Sequence, residues 1–97
     1  MPWVQIQKAT QATWNDYAQV QQALEGGGLP AGLIYHAAGE QPNGRWQAVS
    51  VWESEEDFNC FREERILPAV RAALGNELAD AGPPPSESFD AKHVLGD

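Results

Sequence analysis

The chain has 97 residues, with fourteen acidic against six basic side chains and a net charge of −8. That size fits one domain, and that charge repels nucleic-acid phosphates and anionic lipid, so neither nucleic acid nor a membrane surface is an expected partner. The single cysteine, Cys60, has no second thiol to pair with, which excludes a disulfide framework and a thiolate metal site and points to a cytoplasmic protein.

In chain order, Val4 and Ile6 alternate with Gln5 and Gln7, which predicts a first strand over about residues 3 to 8. Thr13 and Asp16 form an S/T-x-x-D cap, and Trp14, Tyr17, Val20 and Leu24 follow at helical spacing until Gly26-Gly27-Gly28 ends the helix. Residues 32 to 38, Gly-Leu-Ile-Tyr-His-Ala-Ala, read as a second strand. Turn chemistry at Pro42-Asn43-Gly44 joins it as a hairpin to a third strand over residues 45 to 52. Ser54 with Asp57 caps a second helix from Glu55 to about Arg65, with Phe58 and Phe61 on its buried side. A bend is expected at Leu67, the residue before Pro68, which then opens a short helix ended by Gly75. Gly82-Pro83-Pro84-Pro85-Ser86 reads as a stiff connector to a fourth strand carrying Phe89, Ala91, Val94 and Leu95.

The order βαββαβ predicts one ferredoxin-like α+β domain, a four-stranded antiparallel sheet with its helices on one face. Trp46 and Trp52 share one side of the third strand and Val49 and Val51 the other, so that strand is apolar on both sides. Helices cover only one of them. A homodimer packed sheet to sheet is the expected cover for the second.

Residues 32 to 39, residues 49 to 58 (Val-Ser-Val-Trp-Glu-Ser-Glu-Glu-Asp-Phe) and residues 65 to 70 (Arg-Ile-Leu-Pro-Ala-Val) give the chain its likeness to a known family. It resembles the dimeric α/β-barrel superfamily, in particular the small antibiotic-biosynthesis-monooxygenase-like proteins. The resemblance implies a small-molecule binder, with cofactor-independent oxygenation of an apolar or aromatic substrate as the leading activity and a non-catalytic dimeric interaction module as the alternative. Haem-degrading members carry a further tryptophan and an iron-ligating histidine on the second helix, where this chain has Phe61 and arginines. The glycines at 26 to 28 follow a helix instead of opening one, so they make no phosphate loop. No cofactor and no metal are expected.

His36, in mid-strand, is the expected acid-base residue, because imidazole titrates near neutrality. Its plain alternative is a hydrogen-bonded histidine at the sheet or dimer face. Tyr35, Trp52, Phe58 and Phe61 are expected to line an apolar pocket and Arg65 to anchor an anionic substrate group, against the alternative that the aromatics simply form core. Trp46 is a further candidate for that pocket, with core or dimer interface as its alternative. Cys60 is expected to be a buried, unreactive thiol. His93, on the last strand, either reaches a shared cavity across the dimer or stands partly exposed. A rival chemistry starts from Pro2. Removal of Met1 would leave a proline amine at the head of a strand, as in tautomerases of the 4-oxalocrotonate type, although the arginines those enzymes use are missing near the first helix.

Overall fold

A computed structural model of the protein describes residues 2–82 and 84–95. Its elements are β1 (Trp3–Thr13), α1 (Trp14–Leu24), β2 (Leu33–Glu40), β3 (Arg45–Trp52), α2 (Glu55–Phe61), a π-helical segment (Arg62–Ile66), α3 (Leu67–Leu74), α4 (Asn76–Asp80) and β4 (Ser86–Asp90). The four strands form one antiparallel sheet in the order β2-β3-β1-β4 with the helices on one face, the expected ferredoxin-like arrangement. Met1, whose removal the rival reading from Pro2 requires, and the Pro83 position of the connector lie outside the described residues.

Both predicted caps form. The Thr13 hydroxyl accepts from the Asp16 amide while the Asp16 carboxylate accepts from the Thr13 amide, a reciprocal pair at the start of α1. Ser54 accepts from the Asp57 amide at the start of α2, and Glu55, Glu56 and Asp57 place negative charge at its positive end. β1 is longer than its alternation predicts. Beyond an irregularity between Lys8 and Thr13 it is tied to the hairpin by the side chains of Gln41, which donates to Ala9 O, and Arg45, which donates to Thr10 O.

At Leu67, where a bend is expected, the residue keeps right-handed helical angles and the chain departs from the α-helix through a π-helical segment. The π segment absorbs the proline: the Leu67 amide bonds five residues back to Arg62 O, so the missing N–H of Pro68 falls where the ladder is already re-registered. Gly75 then ends α3 with φ at 95°, and α4 follows, an element that no sequence signal announced. β4 is Ser86–Asp90, so Ala91, Val94 and Leu95 lie beyond the strand they were expected to build.

The covered face holds the core. Trp3, Trp52 and Phe58 are buried together, with Leu33, Phe61 and Ile66 packed against them. The ring centroid of Phe58 lies 5.6 Å from that of each tryptophan, in the tilted and edge-on geometries that aromatic pairs favour. On the opposite face Val4, Ile6, Tyr35, Ala37, Val49, Val51 and Phe89 fall on one side by strand register. No helix among the described residues covers them, and Tyr35 and Phe89 are 53% and 54% exposed.

Gly32 joins the α1 turn to β2 with φ at +84°, and a Cβ there would fall onto the Asp57 carboxylate that the Ser54 hydroxyl also contacts. Two constraints, a left-handed backbone and a filled site, therefore fall on one residue. Gly32→Ala is expected to cost about 2 kcal/mol and to lower Tm by roughly 10 °C. A denaturant titration checks this, and an unchanged midpoint would contradict it.

Candidate active site

Successive residues of a strand point to opposite faces, and β2 separates the two neighbours expected to share a pocket. Tyr35 pairs with Val51 and stands on the uncovered face, whereas His36 pairs with Ser50 and stands on the helix side. Trp52 and Phe58 are buried core, and Phe61 packs against them.

Arg65 is occupied. Its guanidinium donates to Leu24 O, at the end of α1, and to Gly28 O, in the glycine turn beyond it, both at 3.2 Å, and stacks over Phe61 at 5.1 Å. A Cβ on Gly27 would collide with that guanidinium, so the glycine run admits the arginine. Cys60 is exposed, against expectation, because it sits two residues from Phe58 and so on the far side of α2. His93 is exposed beyond β4. The carbonyl of Pro2 accepts from the Ala91 amide, which ties the head of β1 to the residue after β4. No group of three His, Cys, Asp or Glu side chains is placed to hold a metal among the described residues.

What His36 meets is Tyr17. The phenol oxygen lies 2.6 Å from His36 Nε2, and the two rings are nearly parallel, 9° apart. Tyr17 is itself held between Trp14, stacked at 5.2 Å, and Trp46, tilted at 5.1 Å. α1 supplies Trp14 and Tyr17 one turn apart, β2 and β3 supply His36 and Trp46, and the four rings make an aromatic box at the edge of the covered face. Trp14 and Tyr17 were legible only as periodic helix positions.

Although His36 lies on an exposed edge strand, enclosure of its ring lowers its pKa below the ordinary histidine value, and burial raises that of Tyr17 above the ordinary phenol value. Both shifts favour the neutral forms. At neutral pH Tyr17 O–H therefore donates to an unprotonated His36 Nε2, leaving a base held by a weak acid.

Next to this box, register lines up a polar rank across the covered face: His36 (β2) beside Ser50 (β3), Ser50 beside Gln5 (β1), and Gln5 beside Ser88 (β4). Ser50 Oγ accepts from Trp52 Nε1 at 3.0 Å. Gln5 is 6% exposed, and its Oε1 has no hydrogen-bond partner among the described residues. Two surface hollows stand apart from this region: one of about 200 Å³ on the uncovered face, lined in part by Ile6, Ala37 and Val49, and one of about 380 Å³ between α1 and α3 beside Arg65.

No family profile matches the sequence, and no curated protein matches it. Solved structures do. A mutant of SnoaB, a cofactor-independent oxygenase from Streptomyces nogalater, is 17% identical with a TM-score of 0.54, over 99% of this chain and 96% of that one. A proposed antibiotic biosynthesis monooxygenase of Deinococcus radiodurans is 12% identical with a TM-score of 0.60, over 100% of this chain and 98% of that one. The ActVA-Orf6 monooxygenase of Streptomyces coelicolor, solved with Nanaomycin D, is 14% identical with a TM-score of 0.57, over 99% and 91%. At these identities the likeness is one of fold, and the chain has the fold of antibiotic-biosynthesis-monooxygenase-like proteins.

Because folded His36 holds its proton more weakly than the unfolded chain does, acid favours unfolding. Its contribution is complete above the ordinary histidine pKa and is lost as pH falls through that value to the lowered one. Tyr17 acts in the opposite sense, its contribution complete at neutral pH and lost as pH climbs through the raised value. Between about pH 8 and about pH 5 the wild type is therefore expected to lose more thermal stability than His36→Gln. Parallel melting curves across that range would show that His36 is not the responsible group.

Proposed function

We propose that this protein is a cofactor-independent, monooxygenase-like enzyme acting on a small aromatic substrate bound between the helices and the sheet. The observation that carries the reading is the Tyr17–His36 contact inside a box of aromatic side chains. It supplies an unprotonated base beside flat apolar surface: as Tyr17 passes its hydroxyl proton to His36 Nε2, its oxygen can take the proton of a substrate hydroxyl and leave an electron-rich ring for oxygen to attack. The neighbours support it: one is described as a cofactor-independent oxygenase and another is a monooxygenase solved with a bound ligand. Among the earlier candidates, His36 keeps the acid-base role. Trp52, Phe58 and Phe61 act from behind as the packed wall, and Arg65 serves to hold α1.

The test is oxygen uptake by metal-free protein over a panel of hydroxylated fused-ring aromatics. At least one compound should support turnover, and His36→Ala should slow it by about a hundredfold or more. Undiminished turnover in His36→Ala, abolished instead by blocking the amine of Pro2, would transfer the chemistry to the tautomerase reading. A panel without binding or turnover would favour the interaction module.

The same proposal includes the homodimer. Val4, Ile6, Val49, Val51, Tyr35 and Phe89 form an apolar surface on the uncovered face, and a second copy is the self-complementary cover that a small protein has available. Light scattering at micromolar concentration should give twice the chain mass, and Val49→Glu should halve it. A wild-type monomer would overturn the assignment.

A further inference from the structure

We infer that Tyr17 and His36 form a one-electron donor, in which the phenol gives an electron to an aryloxyl radical as its proton passes to His36 Nε2. This goes beyond the acid-base chemistry proposed above and needs no substrate seated on the pair. A phenol stripped of an electron becomes a strong acid, so an isolated tyrosine is hard to oxidise until its proton has somewhere to go. Tyr17 has that place. Its oxygen is 2.6 Å from Nε2 and the two rings are 9° from parallel, a contact at the short end of the hydrogen-bond range. Burial raises the pKa of the phenol and lowers that of the imidazole, so at neutral pH the proton rests on oxygen and the base stays unprotonated until the electron leaves.

The setting of the ring supports this use. A proton moves only across a hydrogen bond, whereas an electron tunnels through packed side chains, so the acceptor of the electron can stay outside the protein. Trp14 at 5.2 Å and Trp46 at 5.1 Å flank Tyr17, and each is half-buried. They hold the phenol still and leave indole surface to solvent, on which a flat aromatic radical can stack. His36 is exposed on the edge strand β2, so the imidazolium that forms meets water. The other tyrosine lacks this setting: Tyr35 stands on the opposite face of the sheet, turned away from His36. The step balances. Tyr17 loses one electron and its phenolic proton and becomes a neutral tyrosyl radical, His36 becomes imidazolium, and the aryloxyl radical gains the electron and a proton from water to return as a closed-shell phenol.

Flash photolysis tests this on the full chain carrying Tyr35→Phe, which leaves Tyr17 as the one tyrosine, with photogenerated tris(bipyridine)ruthenium(III) as the probe oxidant at neutral pH. The neutral tyrosyl radical should appear in the transient absorption spectrum and form more slowly in deuterium oxide than in water. In His36→Gln, whose amide accepts a hydrogen bond but holds a proton poorly, it should form about tenfold more slowly or worse, and free imidazole should restore the rate in His36→Ala. The para-cyanophenoxyl radical, as probe of the aryloxyl class, should decay faster with this protein than with one that also carries Tyr17→Phe. A radical that remains on tryptophan overturns the inference, and so does a tyrosyl radical formed at the same rate in both solvents; neither result needs a variant of His36. An equal rate in folded His36→Gln removes His36 as the proton acceptor and overturns it as well. Equal para-cyanophenoxyl lifetimes overturn the assignment of the oxidant. None of these readouts involves oxygen uptake, so failure here is distinct from failure of the functional reading.

Discussion

The burial of Trp52 is the constraint on which the covered face depends. At the last position of β3 its backbone pairs with Trp3 on one side and Leu33 on the other, so the residue ties three strands together. Its ring packs on Phe58 and Phe61, and that contact sets where α2 can lie once Ser54 has started it. An indole N–H buried at this depth needs an acceptor, and Ser50 supplies it. The packing requirement of one aromatic residue thus places a hydroxyl in the middle of the sheet. The polar rank from His36 to Gln5 is built around that hydroxyl.

The two ends of the covered face are correspondingly different. The Trp3, Trp52 and Phe58 end is dense and apolar, where a side chain serves by filling space. The Tyr17, His36, Trp14 and Trp46 end sits against the edge strand β2, where rings stack but solvent is close enough for protons to move. The proposed chemistry falls at the second end, and the packing that stabilises the fold at the first. Arg65 keeps the two in a fixed relation by holding the carbonyl end of α1 from the segment that follows α2.

Much of this was legible from the residues. The Thr13/Asp16 and Ser54/Asp57 caps are local chemistry, and the alternation of Trp46, Trp52, Val49 and Val51 is a period that a strand cannot disguise. The partner of His36 was not legible: helical spacing says that Tyr17 faces the sheet, while the strand residue it meets depends on how far α1 slides along the sheet. Tyr35 and His36 could not have shared a pocket, a point that strand alternation alone already decides. Arg65 was misjudged because its real partners are main-chain carbonyls some forty residues earlier, and carbonyls leave no mark in a sequence. The length of β1 likewise rests on side-chain ties from Gln41 and Arg45 that periodicity does not register.

The π segment has a consequence for rotational phase. A π turn carries one residue more than the α-helix it interrupts, and each α-helical residue advances the side-chain direction by about 100°. Ala69, buried against its neighbours, and Pro68, which is exposed, owe their directions to that surplus residue between Arg62 and Ile66. A regular α-helix over the same sequence would turn α3 out of phase with α1 by about 100°, so that each position of α3 facing α1 would be taken by the preceding residue. The proline and the extra residue therefore form a matched pair, one interrupting the ladder and the other restoring the aim of everything downstream.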